Sequence, residues 1–259
     1  MKITFLGTGT SQGIPVINCD CPVCRSDNPK NKRFRTHIHV EIAGYNIQVD
    51  AAQEFRIQAI KHRIPKVDIV LLTHGHADHI LGFDDLRRYC DAKEGEAIPV
   101  YTNEEGRERL YSIYPYAMLD RAKVRGYPAF TAHMMPEVLE LDGARISSVT
   151  QSHGPTQTLG FVFEELATGS KFAYYTDCDS VSGKARSLAE GADVVVLDGL
   201  KPTPHRSHMS IPEAVEAAAA IGASETYLIH MTHHVEHEET NKTLPAGVQL
   251  AYDNLVLKV

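Results

Sequence analysis

The stretch Leu71-Leu72-Thr73-His74-Gly75-His76-Ala77-Asp78-His79 decides how the rest of this 259-residue sequence is interpreted. Its apolar start predicts a buried strand, which is followed at once by the pattern His-x-His-x-Asp-His. Four potential metal ligands fall within six residues at the end of that strand, a density that packing does not explain. His74 and His76 alternate and can face one ion, whereas Asp78 and His79 begin the next helix and can face a second.

Later strand-like runs end in the same kinds of residue. His153 lies just after one run, and Asp177 and His230 each stand at the end of another. Asp50 ends the earlier run Ile47-Gln48-Val49-Asp50, where an ordinary turn or capping residue is an equally good interpretation. Because ligand-binding residues gather in loops at strand ends, we expect these positions to meet at one site.

The order of predicted elements indicates an α/β fold with mixed sheets and outer helices, in a single domain over residues 1–259. The turn signals Ala43-Gly44-Tyr45 and Ala167–Ser170 predict hairpins. Ser210 is a predicted N-cap, and Gly222 ends the helix that Ser210 begins. The predicted strands are Lys2–Leu6, His37–Ile42, Asn46–Asp50, Asp68–Thr73, Val100–Thr102, Ile146–Thr150, Gly160–Glu164, Phe172–Asp177, Val194–Leu197, Thr226–His230 and Leu255–Val259. The predicted helices are Gln53–His62, His79–Ala92, Glu104–Tyr111, Val181–Glu190 and Ile211–Ile221.

The composition excludes several classes of protein. Hydrophobic residues make up 43% and charged residues 23% of the chain, which excludes a disordered chain. No apolar run is long enough to span a bilayer, and the N-terminus has no apolar signal region, so we expect a cytoplasmic protein without a membrane partner. The net charge is −7, with 26 Lys+Arg against 33 Asp+Glu, which disfavours a large nucleic-acid partner.

A second motif, Cys19-Asp20-Cys21-Pro22-Val23-Cys24, brings three of the five cysteines together. This clustering favours metal ligation in a reducing compartment over a disulfide framework. Three thiolates suit Zn²⁺, which needs a fourth ligand to close a structural site. We expect a zinc-binding insertion at about residues 18–36. The candidates for its fourth ligand are His233, His234 and His237.

The pattern THxHxDH after a strand resembles the metallo-β-lactamase superfamily of two-metal hydrolases. The resemblance implies a four-layer αββα sandwich with a metal pair between the edges of two mixed sheets. It gives Asp50 the place of a carboxylate that orients a ligating histidine. By this resemblance one metal is bound by His74, His76, His153 and Asp177. The other is bound by Asp78, His79, Asp177 and His230.

A narrower resemblance covers nearly the whole chain. The early Gly7-Thr8-Gly9-Thr10, the cysteine motif, the THxHxDHxxGF core and the late His-Met-Thr-His together are similar to the PhnP-type phosphodiesterases. In that pattern the histidine three residues after the last active-site histidine completes the zinc site, which assigns His233. The family also suggests a homodimer, although the sequence shows no interface.

The resemblance implies hydrolysis of a small or cyclic phosphodiester, such as a ribosyl 1,2-cyclic phosphate. Two divalent metals, Mn²⁺ or Zn²⁺, would hold a bridging hydroxide and clamp the phosphoryl group. His208, just before the capped helix, is the predicted general acid, and Asp78 is the second predicted catalytic residue. His205 is the alternative acid or a substrate contact.

Two other functions remain open at this stage. One is a tRNA 3′-processing nuclease or another ester hydrolase of the same fold, although the chain has no Gly-, Pro- and basic-rich arm. The other is a non-catalytic accessory protein of coenzyme biosynthesis, similar to PqqB, which also carries a cysteine cluster. The complete set of predicted ligands argues against a vestigial site.

Overall fold

A computed structural model describes all residues, Met1–Val259, and contains two seven-stranded sheets. The first sheet contains β1 (Lys2–Gly7), β2 (His37–Ile42), β3 (Tyr45–Val49), β4 (Ile69–Leu71), β5 (Ile98–Thr102), β6 (Phe130–Met134) and β14 (Val256–Lys258), in the order β14-β1-β2-β3-β4-β5-β6. The second contains β7 (Val138–Leu141), β8 (Ala144–His153), β9 (Thr156–Glu165), β10 (Lys171–Tyr175), β11 (Val194–Asp198), β12 (Glu225–Ile229) and β13 (Val248–Leu250), in the order β13-β12-β11-β10-β9-β8-β7.

The helices are short and lie outside the sheets. They are α1 (Pro22–Arg25), α2 (Phe55–Lys61), α3 (Ala77–Ile80), α4 (Arg87–Ala92), α5 (Glu104–Ile113), α6 (Gly183–Ala189), α7 (Ile211–Ile221) and α8 (His237–Asn241), with 3₁₀ helices at Pro29–Asn31 and Phe83–Leu86. No helix combines the length and the apolar character needed to cross a membrane.

Three apolar cores separate four layers. The central core, which includes Phe5, Ile38 and Phe161, lies between the two sheets. A second core packs the outer face of the second sheet against α6 and α7, and a third packs the first sheet against α2, α4 and α5. Successive side chains of β2 point to opposite faces of the first sheet. Ile38 points into the central core, while His37 packs on Phe55 of α2 with ring centroids 6.3 Å apart. The predicted αββα sandwich is therefore confirmed.

Both sheets are mixed. β3 to β6 run parallel to one another, as do β10 to β13, and the remaining pairs are antiparallel. The predicted turns at Ala43–Tyr45 and Ala167–Ser170 join the antiparallel hairpins β2–β3 and β9–β10. Because neighbouring parallel strands end at a common edge, the chain leaves β3, β4, β10, β11 and β12 toward one end of the sandwich.

One prediction about a helix needs correction. The helix predicted over His79–Ala92 is broken into α3, a 3₁₀ helix and α4. At the break the Gly82 amide donates to the Ala51 carbonyl at 2.8 Å instead of continuing the helix, and a Cβ on Gly82 would lie 2.0 Å from the Ala52 carbonyl oxygen. In the stretch that follows, the predicted strand Val100–Thr102 and helix Glu104–Tyr111 are present as β5 and α5, and β6 is an additional strand. By contrast, α7 spans the predicted residues and begins with a complete capping box of Ser210 and Glu213.

Candidate metal centre

The candidate site lies where strands of both sheets end. Asp50 follows β3, Asp177 lies two residues after β10, and His230 follows β12. All three have positive φ, at 55°, 52° and 63°. Residues other than glycine rarely adopt a positive φ. Those that do are often found at functional sites, where the surrounding fold enforces the conformation. These residues therefore turn the chain sharply and direct their side chains into the gap between the sheet edges.

The first group of ligand-type atoms comes from His74, His76 and His153, whose ring nitrogens lie within 4.8 Å of one another. His153 Nε2 is 3.4 Å from His76 Nδ1. The other ring nitrogen of His153 is 2.8 Å from the Ser207 carbonyl oxygen. Since a carbonyl oxygen only accepts hydrogen bonds, His153 Nδ1 carries the proton and Nε2 is left with a lone pair for a metal.

The second group contains Asp78, His79, Asp177 and His230, all buried and with ligand atoms within 4.8 Å. Asp177 Oδ2 lies 3.2 Å from His79 Nε2 and 3.1 Å from His230 Nε2. The same oxygen is 3.9 Å from His74 Nε2 in the first group. Asp177 is therefore the side chain that faces both groups, as the resemblance implied for the bridging ligand.

The donor set fits divalent metal ions. The Nε2 atoms of His74, His79 and His230 are buried and have no hydrogen-bond partner within the protein. Such atoms are costly to bury unless something else satisfies them. Imidazole and carboxylate donors together are typical of sites for Zn²⁺, Mn²⁺ and related ions. The observed geometry thus matches a metal-dependent site.

Electrostatics in the second group also demand positive charge. Burial raises the pKa of Asp177, but His230 and His79 outweigh this and hold that pKa well below its usual range. Burial lowers the pKa of His230, while Asp177 and Asp78 raise it overall to about 10. The carboxylates therefore favour positive charge within this group, and a divalent cation would supply it.

Asp50 supports the second group from behind. Its carboxylate is fully buried, accepts hydrogen bonds from the Thr73 amide at 2.8 Å and hydroxyl at 2.9 Å, and lies 2.7 Å from His79 Nδ1. A carboxylate at Nδ1 fixes the tautomer in which His79 Nε2 points at the site without a proton. The alternative interpretation of Asp50, as an ordinary turn or capping residue, does not account for its contact with His79.

Asp198 is the residue that sequence reasoning missed. Its Oδ2 accepts a hydrogen bond from the Cys178 amide at 3.0 Å and lies 2.6 Å from His208 Nδ1. His208 also stacks on His230, with ring centroids 4.7 Å apart and an interplanar angle of 14°. A signal was present in the sequence, because Val194–Asp198 ends in aspartate just as the strands before Asp50 and Asp177 do.

His205, the alternative acid, occupies a different environment. It is exposed, and its ring centroid lies 5.4 Å from that of His208. Its Nδ1 is 3.4 Å from Ser207 Oγ, and no carboxylate is hydrogen-bonded to its ring. The geometry therefore favours His208 over His205 as the histidine held over the metal ligands.

The three cysteines of the motif lie next to His233, which is far from them in the sequence. Sγ atoms of Cys19, Cys21 and Cys24 lie 3.1, 3.7 and 3.6 Å from His233 Nδ1. Four soft or borderline donors at this spacing fit a tetrahedral zinc site. The two alternative ligands lie elsewhere: His234 is exposed, and buried His237 has its Nε2 3.0 Å from the Asn241 amide.

Comparison with known proteins identifies the family to which this chain belongs. A model of the β-lactamase superfamily domain matches residues 45–231, well over half of the chain. The chain therefore belongs to the β-lactamase superfamily. A crystal structure described as a new diphosphatase from the PhnP family superposes with a TM-score of 0.89 and 36% identity, over 100% of this chain and 97% of that one. Within the superfamily, the protein is a metal-dependent hydrolase of the PhnP type.

Two further proteins are similar to this chain. An octanoyltransferase of Porphyromonas gingivalis is 31% identical over 98% of this chain, but this chain spans only 51% of that protein. Zn²⁺-bound PqqB from Methylobacterium extorquens superposes with a TM-score of 0.81 at 18% identity, with both chains fully covered. That level of identity establishes the shared fold alone.

Proposed function

We propose that this protein is a two-metal phosphodiesterase that acts on a small or cyclic phosphodiester. The observation that carries the proposal is the position of Asp177 between two groups of ligand atoms, with His208 stacked on one of them. Under this proposal, one metal is held by His74, His76, His153 and Asp177. The other is held by Asp78, His79, Asp177 and His230.

When bound, the two divalent ions would activate water, polarise the scissile phosphoryl group and neutralise the charge that develops on it. Asp78 and Asp177 provide the negative charge that retains these ions. Asp50 keeps His79 in the tautomer that leaves Nε2 free for ligation. The protein supplies the proton for the leaving oxygen itself.

His208 is the proposed general acid. Its Nδ1–H donates to Asp198 at 2.6 Å, so the remaining ring nitrogen, Nε2, is the atom that can carry a proton to the leaving group. A buried carboxylate at Nδ1 keeps the ring oriented. Asp198 acts through His208 and is a positioning residue.

The third proposed metal is a structural Zn²⁺ held by Cys19, Cys21, Cys24 and His233. The backbone next to His233 joins the catalytic loops, because the Thr232 amide donates to the Leu200 carbonyl at 2.9 Å. The clustering of three of the five cysteines favours a reducing compartment such as the cytoplasm. Within the cluster, burial raises the pKa of Cys24 to about 11, so the thiol ionises only when a cation compensates.

The class of substrate is supported by size and charge. The net charge of −7 and the lack of a basic arm disfavour a large nucleic acid, whereas bound metals would supply local positive charge for a small phosphate ester. The relative of the PhnP family described as a diphosphatase favours a second candidate, a diphosphate bond. Both reactions transfer a phosphoryl group to water at the same kind of site.

The test uses fully metallated protein and two phosphodiesters, bis(p-nitrophenyl) phosphate and 2′,3′-cyclic AMP, with Mn²⁺ or Zn²⁺ supplied. We expect turnover of both. His208→Gln should lower kcat for 2′,3′-cyclic AMP by about 10²–10⁴-fold, because an alkoxide needs a proton to leave. The loss with the nitrophenyl ester should be much smaller, since nitrophenolate is a weak base.

The matched control is His205→Gln, which removes a neighbouring histidine without a carboxylate partner and should change kcat by less than about threefold. No turnover of either diester by fully metallated protein would refute the proposal. Cleavage of ADP-ribose in that case would select the diphosphate bond instead. Retention of zinc in the cysteine cluster alone, under excess Mn²⁺, would favour a non-catalytic accessory role.

A further inference from the structure

The hairpin of β8 and β9 carries His153 at a tip that extends beyond the neighbouring strands of its sheet. The ladder between β7 and β8 ends at Ser147, and the ladder between β9 and β10 ends at Phe161. Beyond these points the two strands, over residues 149–160, form ladder pairs only with each other, and we call this part the hairpin tip. An isolated two-stranded hairpin is marginally stable in water, so the tip needs support from elsewhere to hold a ligand in place.

Asp179 supplies this support next to His153. Its Oδ2 accepts hydrogen bonds from the Ser152 hydroxyl at 2.7 Å and from the Gly154 amide at 3.2 Å. Its own amide donates to the Ser152 carbonyl oxygen at 3.0 Å. These contacts involve the residues immediately before and after His153, so they hold the backbone of that histidine on both sides.

Other contacts reach the hairpin tip at different points. On β9, the Leu159 amide donates to the Thr73 carbonyl oxygen at 3.0 Å, near the base of the tip. The His153 ring donates through Nδ1 to the Ser207 carbonyl oxygen at 2.8 Å, which fixes the direction of the ring. Neither contact acts on the residues next to His153, so their position depends on Asp179.

Asp179 also shares a loop with Asp177, the aspartate that faces both groups of ligand atoms. The two aspartates lie two residues apart after β10, whereas His153 ends β8. The contacts of Asp179 therefore join two ligand-type residues that both lie beyond the end of the β9–β10 ladder. Ser180 supports this arrangement, because its hydroxyl donates to Asp179 Oδ1 at 2.8 Å.

These contacts require a hydrogen-bond acceptor rather than a negative charge. The donors to the Asp179 carboxylate are the hydroxyls of Ser152 and Ser180 and the amide of Gly154, all of which are neutral. An uncharged acceptor of the same shape can accept the same hydrogen bonds. This property allows an experiment to separate a positioning role from electrostatic attraction of cations.

We propose that Asp179 is a positioning residue of the metal centre, which fixes His153 relative to Asp177 and thereby sets the affinity of the metal held by the first group. The inference rests on the proposed two-metal site. Asp179 is not among the proposed ligands, and it acts through the backbone on both sides of His153.

The experiment measures metal affinity rather than turnover. Apoprotein that retains the cysteine-bound zinc is titrated with Zn²⁺ or Mn²⁺ against a chromophoric chelator. In Asp179→Ala we expect the affinity of one of two sites to fall by about 10–100-fold, as the loss of groups that orient a ligand does, and the other site to change by less than about threefold. Asp193→Ala is the matched control and should change neither site. The Asp193 carboxylate likewise accepts a backbone amide, that of Lys171 at 2.9 Å, but just before β11 and outside the site.

Two further variants separate positioning from charge. Asp179→Asn removes the charge and keeps an acceptor oxygen, so both affinities should stay within about threefold of wild type. Ser152→Ala should weaken the same site as Asp179→Ala and cause no further loss in the Asp179→Ala background, because the two residues act through one contact. Equal losses at both sites, or equal affinities in Asp179→Ala and Asp193→Ala, would overturn the proposal. Binding to Asp179→Asn that is as weak as binding to Asp179→Ala would assign the effect to charge and would also overturn it.

Failure of the proposed function gives a different result. If metal binds but no diester is cleaved, the titration still decides the role of Asp179. If the wild type takes up no metal at this centre, the two-metal proposal is wrong, and Asp179 is judged from the ring nitrogen signals of His153 in ¹⁵N-labelled, metal-free protein at pH 8. The wild type should show the single tautomer with its proton on Nδ1, and Asp179→Ala should show a mixture of tautomers. Identical His153 signals in Asp179→Ala and Asp193→Ala would reject the positioning role.

Discussion

Replacement of Asp50 by asparagine tests whether a buried carboxylate tunes the metal centre through a histidine tautomer. The substitution preserves size, and asparagine tolerates the positive φ of 55° at this position better than most residues. The introduced side chain would still accept the hydrogen bond from the Thr73 amide through its carbonyl oxygen. Its amide nitrogen would then face His79 Nδ1, where the carboxylate oxygen of Asp50 now lies at 2.7 Å.

Two donors cannot share that contact. His79 must therefore move its proton from Nδ1 to Nε2, or lose the hydrogen bond and its orientation. Because Nε2 is the atom that faces Asp177 and Asp78, a proton there competes directly with a metal. Changes to such supporting groups cost about 10–100-fold in metal affinity, or about 1.4–2.7 kcal/mol.

The assay is a competition titration of Zn²⁺ or Mn²⁺ against a chromophoric chelator, with apoprotein that retains the cysteine-bound zinc. We expect the affinity of one of two sites to fall by about 10–100-fold, and the other site to change by less than about threefold. Asp68→Asn, a change of the same type at a strand start outside the site, is the control. Equal affinities in Asp50→Asn and wild type would refute the tautomer argument.

Three further outcomes follow from buried groups elsewhere. Burial lowers the pKa of His37 from 6.5 to about 4. The contribution of His37 to the free energy of unfolding is therefore present above pH 6.5 and is lost as the pH falls toward 4. In urea titrations of apoprotein, the change in the free energy of unfolding over this pH range should be about 3 kcal/mol smaller in His37→Asn than in wild type. Gly82→Ala should destabilise the fold by about 2–4 kcal/mol, because its Cβ would meet the Ala52 carbonyl oxygen at 2.0 Å; an unchanged melting temperature would contradict this. Cys24→Ser should abolish chelator-resistant zinc, measured by elemental analysis, and retention of one zinc per chain would exclude the four-ligand site.

The residues whose role depends on local order along the chain could be predicted from sequence. His74 and His76 lie in the loop after β4, and Asp78 and His79 lie in the short helix α3 that follows, so their spacing alone brings them together. The capped helix α7 was also predictable, because Ser210 and its partner satisfy each other within one turn. In both cases the interactions that define the structure lie within about six residues of sequence.

Features that depend on contacts between distant segments were missed. Nothing near Gly82 indicates that its backbone packs against that of Ala52, which breaks the helix predicted there. The link between Asp198 and His208 forms because the β11 loop folds back over the end of its own strand. The strands β6, β7 and β13 were likewise missed, because each is short and has exposed or half-buried residues that give no periodic signal.

The three strand-end aspartates show why a ligand cannot be recognised from its local sequence. Asp50, Asp177 and Asp198 each lie at the end of a buried strand or just after it, but their carboxylates meet different donors. Asp50 accepts from the Thr73 amide through Oδ1 and contacts His79 Nδ1 through Oδ2. Asp198 uses Oδ2 for both the Cys178 amide and His208 Nδ1.

Asp177 alone among the three receives no backbone amide. Its Oδ1 accepts from the Thr176 hydroxyl at 2.9 Å, and its Oδ2 faces only histidine Nε2 atoms. A buried carboxylate that receives no backbone amide depends more on nearby positive charge than one that accepts both an amide and an imidazole N–H. The distribution of backbone donors, which the tertiary fold sets, therefore separates the aspartate that faces both groups of ligand atoms from the two that contact a histidine Nδ1.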